Sequence, residues 1–330
     1  MQIRRGTFRL SSEAIVVCSF MCASVALQLL LREYGYHRDE MYYVAIGDGW
    51  SFSNLDMLPL APLYLRLFTC LFGHSITVIH LASSICCACT LGVACLMTKE
   101  LGGKLYAIAL TGTFMLFSGF AIFGSIFTYD SPGILIWVAA LYGALRALKE
   151  NNPRWWLLVG ILVGTGMLNK VTVVFLPLAL VVSLLLVPQR SFFKSKWFWI
   201  AGGVVIPFII PFVAWQFRNN WYFLSFAAQY TSEMSYRAPF LAFLWNQILP
   251  NNVLTLPVWF AGLLLLMFSP QWKTYRLFGI CYLFLFLTFY ILHTPFYFLM
   301  PLYAVLISVG SIWESDGWWK KGWIRNSGGT

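Results

Sequence analysis

The chain has 330 residues, of which 60% are hydrophobic and only 10% are charged. A chain of this composition cannot be a water-soluble domain, because folding in water could not hide so much apolar surface. The formal net charge of +10 does not indicate a nucleic-acid partner, since the Lys and Arg residues occur singly along the chain and not in one cluster.

Ten apolar segments have the composition of membrane-spanning helices. Each is bounded by Gly, Pro, Asn or charged residues, and about 20 apolar residues are enough to cross the hydrocarbon core of a membrane. The segments cover residues 14–31, 76–97, 105–123, 131–148, 155–169, 171–187, 197–217, 254–268, 276–292 and 296–313. We therefore predict an all-α polytopic membrane protein with a single membrane-embedded domain over residues 1–330.

The ends of these segments predict local features. The first segment follows three arginines and resembles a signal sequence, which we interpret as an uncleaved first helix. The fifth and sixth segments meet at Asn169-Lys170, which predicts a tight helical hairpin at the membrane surface.

The distribution of Lys and Arg predicts the topology. Lys99, Lys104, Arg146 and Lys149 are among the cations that fall on alternate loops together with the N-terminus, and such loops are cytoplasmic. We predict a multi-pass protein of the inner (plasma) membrane with both termini cytoplasmic. The two long outer loops then cover 32–75 and 218–253, and the tail at 314–330 is a cytoplasmic, Trp-rich anchor.

The first outer loop carries the adjacent carboxylates Asp39 and Glu40, followed by Tyr42 and Tyr43. A carboxylate that is partly desolvated beside a membrane is suited to act as a general base. An ordinary solvated loop also contains such acidic pairs, and the segment alone favours neither interpretation. The apolar run 60–72 is too short to span and predicts an interfacial helix.

Asp130 directly precedes the fourth segment, and Pro132 follows it in the first helical turn. This spacing favours helix capping by Asp130 or Ser131. A capping carboxylate can also face a site, so both interpretations remain open.

The outer side has six cations, where the positive-inside bias predicts few, and three of them are the main candidates for a binding site: Lys170, Arg218 and Arg237. They are suited to hold a lipid phosphate, with Arg66 as a weaker fourth candidate. For any one of them the alternative is snorkelling, in which the side chain only reaches water or headgroups.

Several kinds of site are not supported by the sequence. It has no Walker-type loop, HExxH, GxSxG or Asp-x-Asp motif, which argues against ATP or a nucleotide-sugar donor. The four histidines stand far apart and none has the spacing of a zinc ligand. We predict no cofactor and no metal, although the sequence does not exclude a divalent cation.

The order of several motifs resembles the glycosyltransferase C superfamily, within it the bacterial membrane enzymes grouped with protein O-mannosyltransferases and the aminoarabinose transferase of lipid A. The motifs are GYHRDEMYYVAIGD at 35–48, NLDMLPLAPLYLRLFTCLFGHS at 54–75, KELGG at 99–103, FTYDSPGILIW at 127–137, WWLLVGILVGTGMLNK at 155–170, PFVAWQFRNNWYFLSF at 211–226 and YFLMPLYAVLISVGSIWE at 297–314. This chain departs from the pattern at 293–296, where many members have Gly-Lys and it has His-Thr-Pro-Phe.

The resemblance implies roles for particular residues. Asp39 corresponds to the catalytic base and Glu40 to its acidic neighbour. Asp130 and Lys170 correspond to site residues, and Arg218 falls in a matching segment. The implied partners are a polyprenyl-phosphate-linked sugar donor, membrane lipids and a glycan, lipid or protein acceptor, with no nucleic acid.

The implied activity is inverting sugar transfer on the outer (periplasmic) face of the membrane. Many relatives continue into a further outer domain or further helices, so we expect acceptor recognition here to be reduced or delegated to a partner. A secondary transporter or flippase is the alternative, but its ionisable residues would lie in the middle of the membrane within repeated halves. A non-catalytic scaffold is a third possibility, which would tolerate loss of the outer carboxylates.

Overall fold

The computed structural model describes residues 11–30, 35–49, 57–223, 225, 229, 237–315 and 317. Within these residues the regular structure is helical. The helices are α1 (Ser12–Leu30), α2 (Arg38–Asp48), α3 (Leu60–Phe72), α4 (Ile76–Glu100), α5 (Leu105–Leu116), α6 (Ile122–Ser125), α7 (Asp130–Glu150), α8 (Trp155–Met167), α9 (Phe175–Leu185), α10 (Lys196–Arg218), α11 (Phe240–Ile248), α12 (Leu256–Phe268), α13 (Arg276–Ile291) and α14 (Met300–Ser315). Short 3-10 turns cover Gly119–Ala121, Val171–Val174, Pro188–Lys194, Val253–Thr255, Pro270–Tyr275 and Phe296–Leu299.

In the described part of the chain, six helices are long and apolar enough to cross a membrane, or up to nine if each of three bent pairs counts as one span. The shorter helix α8, of 13 residues, corresponds to the remaining predicted segment. Each of the ten predicted spans thus coincides with a helix or a bent pair. The prediction of an all-α polytopic membrane fold with about ten spans is confirmed.

The connection between α8 and α9 differs from the prediction. The chain turns after Met167 as expected, but α8 packs on α7 and α10, whereas α9 packs mainly on α13. A 3-10 turn at Val171–Val174 separates the two helices. They therefore diverge after Lys170 and do not form the tight hairpin that the sequence predicted.

Ion pairs join the helix ends at one side of the bundle. Lys99 Nζ at the end of α4 lies 2.6 Å from Glu13 Oε2 at the start of α1. Lys149 Nζ near the end of α7 lies 2.7 Å from Glu100 Oε2, and Arg146 pairs with Glu150 in the same turn. The ends of α4 and α7 and the start of α1 therefore share one side, as the predicted topology requires.

The opposite side carries a separate apolar cluster. It joins α2, α3, the start of α4 and the segment before α7, and its buried members are Tyr43, Met57, Ala61, Leu65, Ile79, Ala82 and Phe127. Helix α3 matches the predicted run 60–72, and α2 matches the helical spacing that follows Asp39. These two helices cover the end of the spanning bundle at the predicted outer loop.

Helices α8 and α10 run in the same direction at very close range. A Cβ on Gly160 would lie 2.3 Å from the carbonyl oxygen of Ala201, and one on Gly164 would lie 2.5 Å from the ring of Phe208. Small residues of this kind allow helices in membranes to approach closely. The contacts move toward the C-terminal end of both helices together, so the two helices are parallel. Lys170 and Arg218, which come after or at these C-terminal ends, therefore lie on the same side of the bundle.

Some predicted features lie outside the described residues. They include most of the tail at 314–330 and parts of both outer loops, namely 31–34, 50–56, most of 224–230 and 231–236.

We predict that reporter fusions after Asn220 and at Thr330 will report opposite sides of the membrane, the latter cytoplasmic. The reason is that Asn220 follows α10 on the side of Lys170, whereas the cations that set the topology lie at the opposite side. The measurement is activity of a reporter that works on only one side. Reports from the same side at both positions would contradict the topology.

Candidate active site

The acidic pair lies in the first turn of α2, and its backbone is fixed by a capping box. The His37 ring Nδ1 accepts a hydrogen bond from the Asp39 backbone N–H at 3.2 Å. The His37 backbone N–H in turn donates to Glu40 Oε2 at 2.9 Å. These bonds satisfy N–H groups that have no partner within the helix, which explains why α2 begins at this point.

Glu40 is fully buried, and its carboxylate joins three parts of the chain. Besides the bond from His37, its Oε1 accepts a hydrogen bond from the Phe127 backbone N–H at 2.8 Å. The Nε2 atom of His80, in α4, lies 3.1 Å from the same oxygen. The carboxylate thereby holds α2 against α4 and against the segment that leads into α7.

The surroundings of Glu40 stabilise its ionised form. Burial alone raises the pKa of this carboxyl, but hydrogen bonds from His80, Phe127 and His37 outweigh burial and lower the pKa below its usual value. All the partners are N–H donors, and a protonated carboxyl would lack an acceptor for its own proton. Glu40 is therefore a buried carboxylate that positions helices, and it is not accessible to a substrate.

Asp39 has a different environment from its neighbour. Its side chain is 43% exposed, and Arg38 Nε lies 3.6 Å from its Oδ1. The His37 ring Nδ1 lies 3.9 Å from its other carboxylate oxygen. Of the two predicted acidic residues, Asp39 is thus the one that an acceptor hydroxyl can reach.

Of the two tyrosines that follow Asp39 and Glu40, one is buried and the other is exposed. Tyr43 is buried, its ring packs edge-on against Phe127 with centroids 5.5 Å apart, and its hydroxyl accepts a hydrogen bond from the Tyr129 N–H at 3.0 Å. Burial raises the pKa of this hydroxyl, with smaller contributions that include the charges of Asp130 and Asp39. Tyr42 is exposed. Tyr43 therefore connects α2 to the residue directly before Asp130.

Asp130 and Lys170 form an ion pair at a pocket between α7, the end of α8 and the segment before α14. Lys170 Nζ lies 2.8 Å from Asp130 Oδ1, and both side chains are less than one fifth exposed. The ammonium group also lies 4.2 Å from the ring centroids of Tyr129 and Phe298, at cation–π distance. The pocket is lined by Asp130, Gly133, Ile134, Trp137, Gly166, Asn169, Lys170, Thr172, Val173, Tyr297, Phe298 and Pro301.

This ion pair corrects the capping interpretation that spacing favoured for Asp130. The N-cap of α7 is Tyr129, whose side chain makes no capping hydrogen bond, and the Asp130 backbone N–H donates to Thr128 Oγ1 at 3.2 Å. The carboxylate of Asp130 pairs with Lys170 instead. Burial lowers the pKa of the Lys170 ammonium, and Asp130 opposes this effect by favouring its charged form.

The remaining predicted cations are not joined to this pocket. Arg218 ends α10 and Arg237 precedes α11, and both are exposed. Arg66 is occupied elsewhere, because its Nη1 donates to the carbonyl of Gly47 at 2.8 Å and ties α3 to α2. The structure therefore brings together Asp39, Glu40, Tyr43, Asp130 and Lys170, and leaves Arg218 and Arg237 at the edge of the described region.

Two polar residues at this side were not selected from the sequence. His80 is 3% exposed in α4 and contacts Glu40. Asn169 is buried at the pocket, and its Nδ2 donates to the Tyr129 carbonyl at 2.7 Å. In the sequence, Asn169 indicated only a turn. A single His in an apolar helix carried no signal of a partner 40 residues away.

Comparison with known proteins gave a match to a protein family and matches to solved structures. Residues 56–215 match the family described as dolichyl-phosphate-mannose-protein mannosyltransferase. A comparison with curated protein sequences gave no match.

Two solved structures of ArnT from Cupriavidus metallidurans share the fold. The form bound to undecaprenyl phosphate has a TM-score of 0.72 and 17% identity, over 92% of this chain and 60% of that one. The apo form has a TM-score of 0.69 and 16% identity, over 91% and 59%. The chain thus spans about three fifths of the length of ArnT. The Pmt1-Pmt2 protein O-mannosyltransferase complex of S. cerevisiae, bound to the sugar donor, has a TM-score of 0.47 and 16% identity, over 67% of this chain and 35% of that one.

The Glu40 network predicts that Glu40→Gln destabilises the protein. The amide keeps the shape of the carboxylate but turns an NH₂ group toward at least one N–H donor, and a buried donor left without a partner costs about 1–3 kcal/mol. The measurement is heat-induced unfolding in detergent. Glu13→Gln is the matched control, since it removes a carboxylate of a partly exposed ion pair, and such pairs contribute little.

The same variant tests the charge of Glu40. Because the pKa is lower in the folded protein than its ordinary value of 4.5, the ionised carboxylate stabilises the fold above that pH, and the stabilisation is lost as the pH falls through the lowered pKa. The stability difference between the native protein and Glu40→Gln should therefore narrow on acidification below about pH 4.5. An equally stable variant, or a difference that widens with acid, would contradict the network.

Proposed function

From the glycosyltransferase C fold, which the motifs of this chain predicted and the comparisons confirm, we propose that it transfers a sugar from a polyprenyl-phosphate carrier to a hydroxyl acceptor. The proposal places the reaction at the outer (periplasmic) side of the membrane, where α2 and α3 cover the bundle. The acceptor class is a glycan, a lipid or a protein.

The observation that carries the proposal is the contrast between Asp39 and Glu40. Both sit in the first turn of α2, yet Glu40 is fully buried and bonded to N–H donors. Asp39 is held in place by the same helix end but keeps an exposed carboxylate. A fixed, accessible carboxylate is what a general base requires.

The proposed reaction is a single displacement with inversion. Asp39 takes the proton of the acceptor hydroxyl, and the acceptor oxygen forms a bond to the anomeric carbon of the sugar. The bond between that carbon and the phosphate oxygen breaks, and the polyprenyl phosphate leaves with the electron pair. The carboxylate is regenerated when the proton passes to solvent or to the released phosphate, and no cofactor takes part.

We assign binding of the donor phosphate to Lys170 and Arg218. The Lys170 ammonium is held in the pocket by its ion pair with Asp130 and by two aromatic rings. These contacts fix its position without a ligand. Arg218 is exposed on the same side of the bundle, where its fork of N–H groups can hold phosphate oxygens. Both cations would stabilise the negative charge that develops on the leaving phosphate.

The lipid nature of the donor is supported by the relative with the same fold. ArnT is seen with undecaprenyl phosphate bound. A pocket at the predicted outer side, with an ammonium group beside aromatic rings, is compatible with a phosphate that stays attached to its lipid chain. The sugar itself is not specified by these features.

We predict that Asp39→Asn abolishes transfer while donor binding and folding persist. The amide keeps the shape of the side chain but cannot accept the proton, and loss of a general base lowers the rate by about 10²–10⁴-fold. The measurement is sugar transfer by the purified protein in lipid. Asp48→Asn is the control, since Asp48 lies at the other end of α2 and pairs with His74 at 3.2 Å. Near-normal turnover of Asp39→Asn would move the base elsewhere, with Asp130 as the next candidate.

We predict that Lys170→Met and Arg218→Met each weaken donor affinity by about 1.5–3 kcal/mol, the contribution of a hydrogen bond to a charged group. Released polyprenyl phosphate should inhibit both variants less than it inhibits the native protein, because the same contacts hold the leaving group. The measurement is the dependence of transfer on donor concentration, with and without added polyprenyl phosphate.

Lys149→Met is the matched control for this experiment. Lys149 is also ion-paired, with Glu100 at 2.7 Å, but it lies at the opposite side of the bundle. If both outer variants behave like the control, Lys170 and Arg218 only snorkel, and Arg237 and Arg66 become the candidates for the phosphate.

A further inference from the structure

His80 is a buried ionisable residue that the reaction proposed above does not use. It lies in the first turns of α4, is 3% exposed, and has its ring against the fully buried carboxylate of Glu40. Of the next polar groups along this helix, Ser84 donates to the Leu81 carbonyl of its own helix, and Ser83 lies at hydrogen-bond distance from the backbone carbonyls of His80 and Gly124. His80 differs because its side chain contacts a buried carboxylate and not a backbone carbonyl.

The geometry fixes which ring nitrogen of His80 carries a proton. Its Nε2 lies 3.1 Å from Glu40 Oε1, an oxygen that can only accept. Nε2 must therefore carry the hydrogen. The other nitrogen, Nδ1, is buried and has no hydrogen-bond partner among the described residues. The His80 ring thus makes its polar contact through Nε2 alone, and its buried Nδ1 has no partner among the described residues.

That contact lies one residue from the proposed base. Glu40 and Asp39 are adjacent in the first turn of α2, so the bonds that fix the Glu40 carboxylate also fix the backbone that carries Asp39. The same carboxylate is bonded to the Phe127 N–H, three residues before Asp130. His80 therefore acts on the element that sets the position of Asp39 relative to the pocket of Asp130 and Lys170.

We propose that His80 is a positioning residue for sugar transfer: its Nε2–H orients Glu40, and Glu40 in turn holds Asp39 where it can take the acceptor proton. This inference rests on the function proposed above. It means that a buried residue of α4 affects the rate of the reaction. His80 touches neither substrate nor reacting atoms. Its loss should lower kcat, because a displacement of about 1 Å at a reacting group can reduce the rate by about 10²-fold.

The test compares three substitutions of His80 in the full chain in lipid. His80→Gln keeps an amide N–H at about the position of Nε2, His80→Asn keeps an amide that is one carbon too short, and His80→Leu removes the donor. We expect kcat near the native value for Gln, and a decrease of roughly 10–100-fold for Asn and Leu. The KM for the donor should stay within about twofold throughout, since the phosphate contacts are intact.

Thr90→Val is the matched control. Thr90 is another buried polar residue of α4, but its hydroxyl donates only to the Cys86 carbonyl of its own helix. Its kcat should be unchanged, whatever small loss of thermal stability it shows. If His80→Leu does not yield folded protein, the comparison of Gln with Asn decides, because both keep a polar side chain.

Each outcome separates the two proposals. Native-like kcat in His80→Leu or His80→Asn would overturn the role of His80 while the transferase function stands. A defect in His80→Gln as large as that in His80→Leu would also overturn it, since the donor N–H would then not matter. No transfer by the native chain and by Thr90→Val would instead overturn the proposed function and this inference with it.

Discussion

The buried carboxylate of Glu40 is the contact on which the arrangement of the outer side depends. It accepts hydrogen bonds from the backbone of His37 and Phe127 and lies 3.1 Å from His80 Nε2, so it joins segments about 40 and 90 residues apart. A buried charge is costly unless it is paired and hydrogen-bonded. The three segments must therefore come together correctly for this end of the bundle to be stable, and this requirement places Asp39 near the segment that carries Asp130.

The two sides of the bundle use charge differently. At the side of the N-terminus of α1, ion pairs such as Lys99 with Glu13 and Lys149 with Glu100 join helix ends and are partly exposed. At the opposite side, the pair of Lys170 and Asp130 is mostly buried beside aromatic rings, in a pocket. An ammonium group held in this way can exchange part of its contact with a carboxylate for contact with a phosphate. This difference supports the placement of the proposed chemistry at the side of α2.

The fold was predictable from the sequence because length and hydropathy decide whether a segment crosses a membrane. Length and hydropathy predicted helix α3 and the ten spans. They did not predict that α8 and α9 separate, because this separation depends on packing between helices far apart in the chain. At the site, the pattern identified Asp39, Glu40, Asp130 and Lys170 as polar residues on the outer side. It could not show that Glu40 is buried, that Asp130 pairs with Lys170, or that His80 lies against Glu40, because each of these depends on contacts over 40 residues or more.

The proposed reaction breaks the bond between a sugar and a polyprenyl phosphate. The most direct test supplies the purified protein in liposomes with a set of polyprenyl-phosphate sugars and a cell-envelope extract as the source of acceptors. Free polyprenyl phosphate and the configuration of the sugar in the product are then measured. We predict that one donor is consumed, that product and free polyprenyl phosphate form in equal amounts, and that the anomeric configuration is inverted. Retention of configuration, or movement of intact donors across the bilayer without cleavage, would contradict the account.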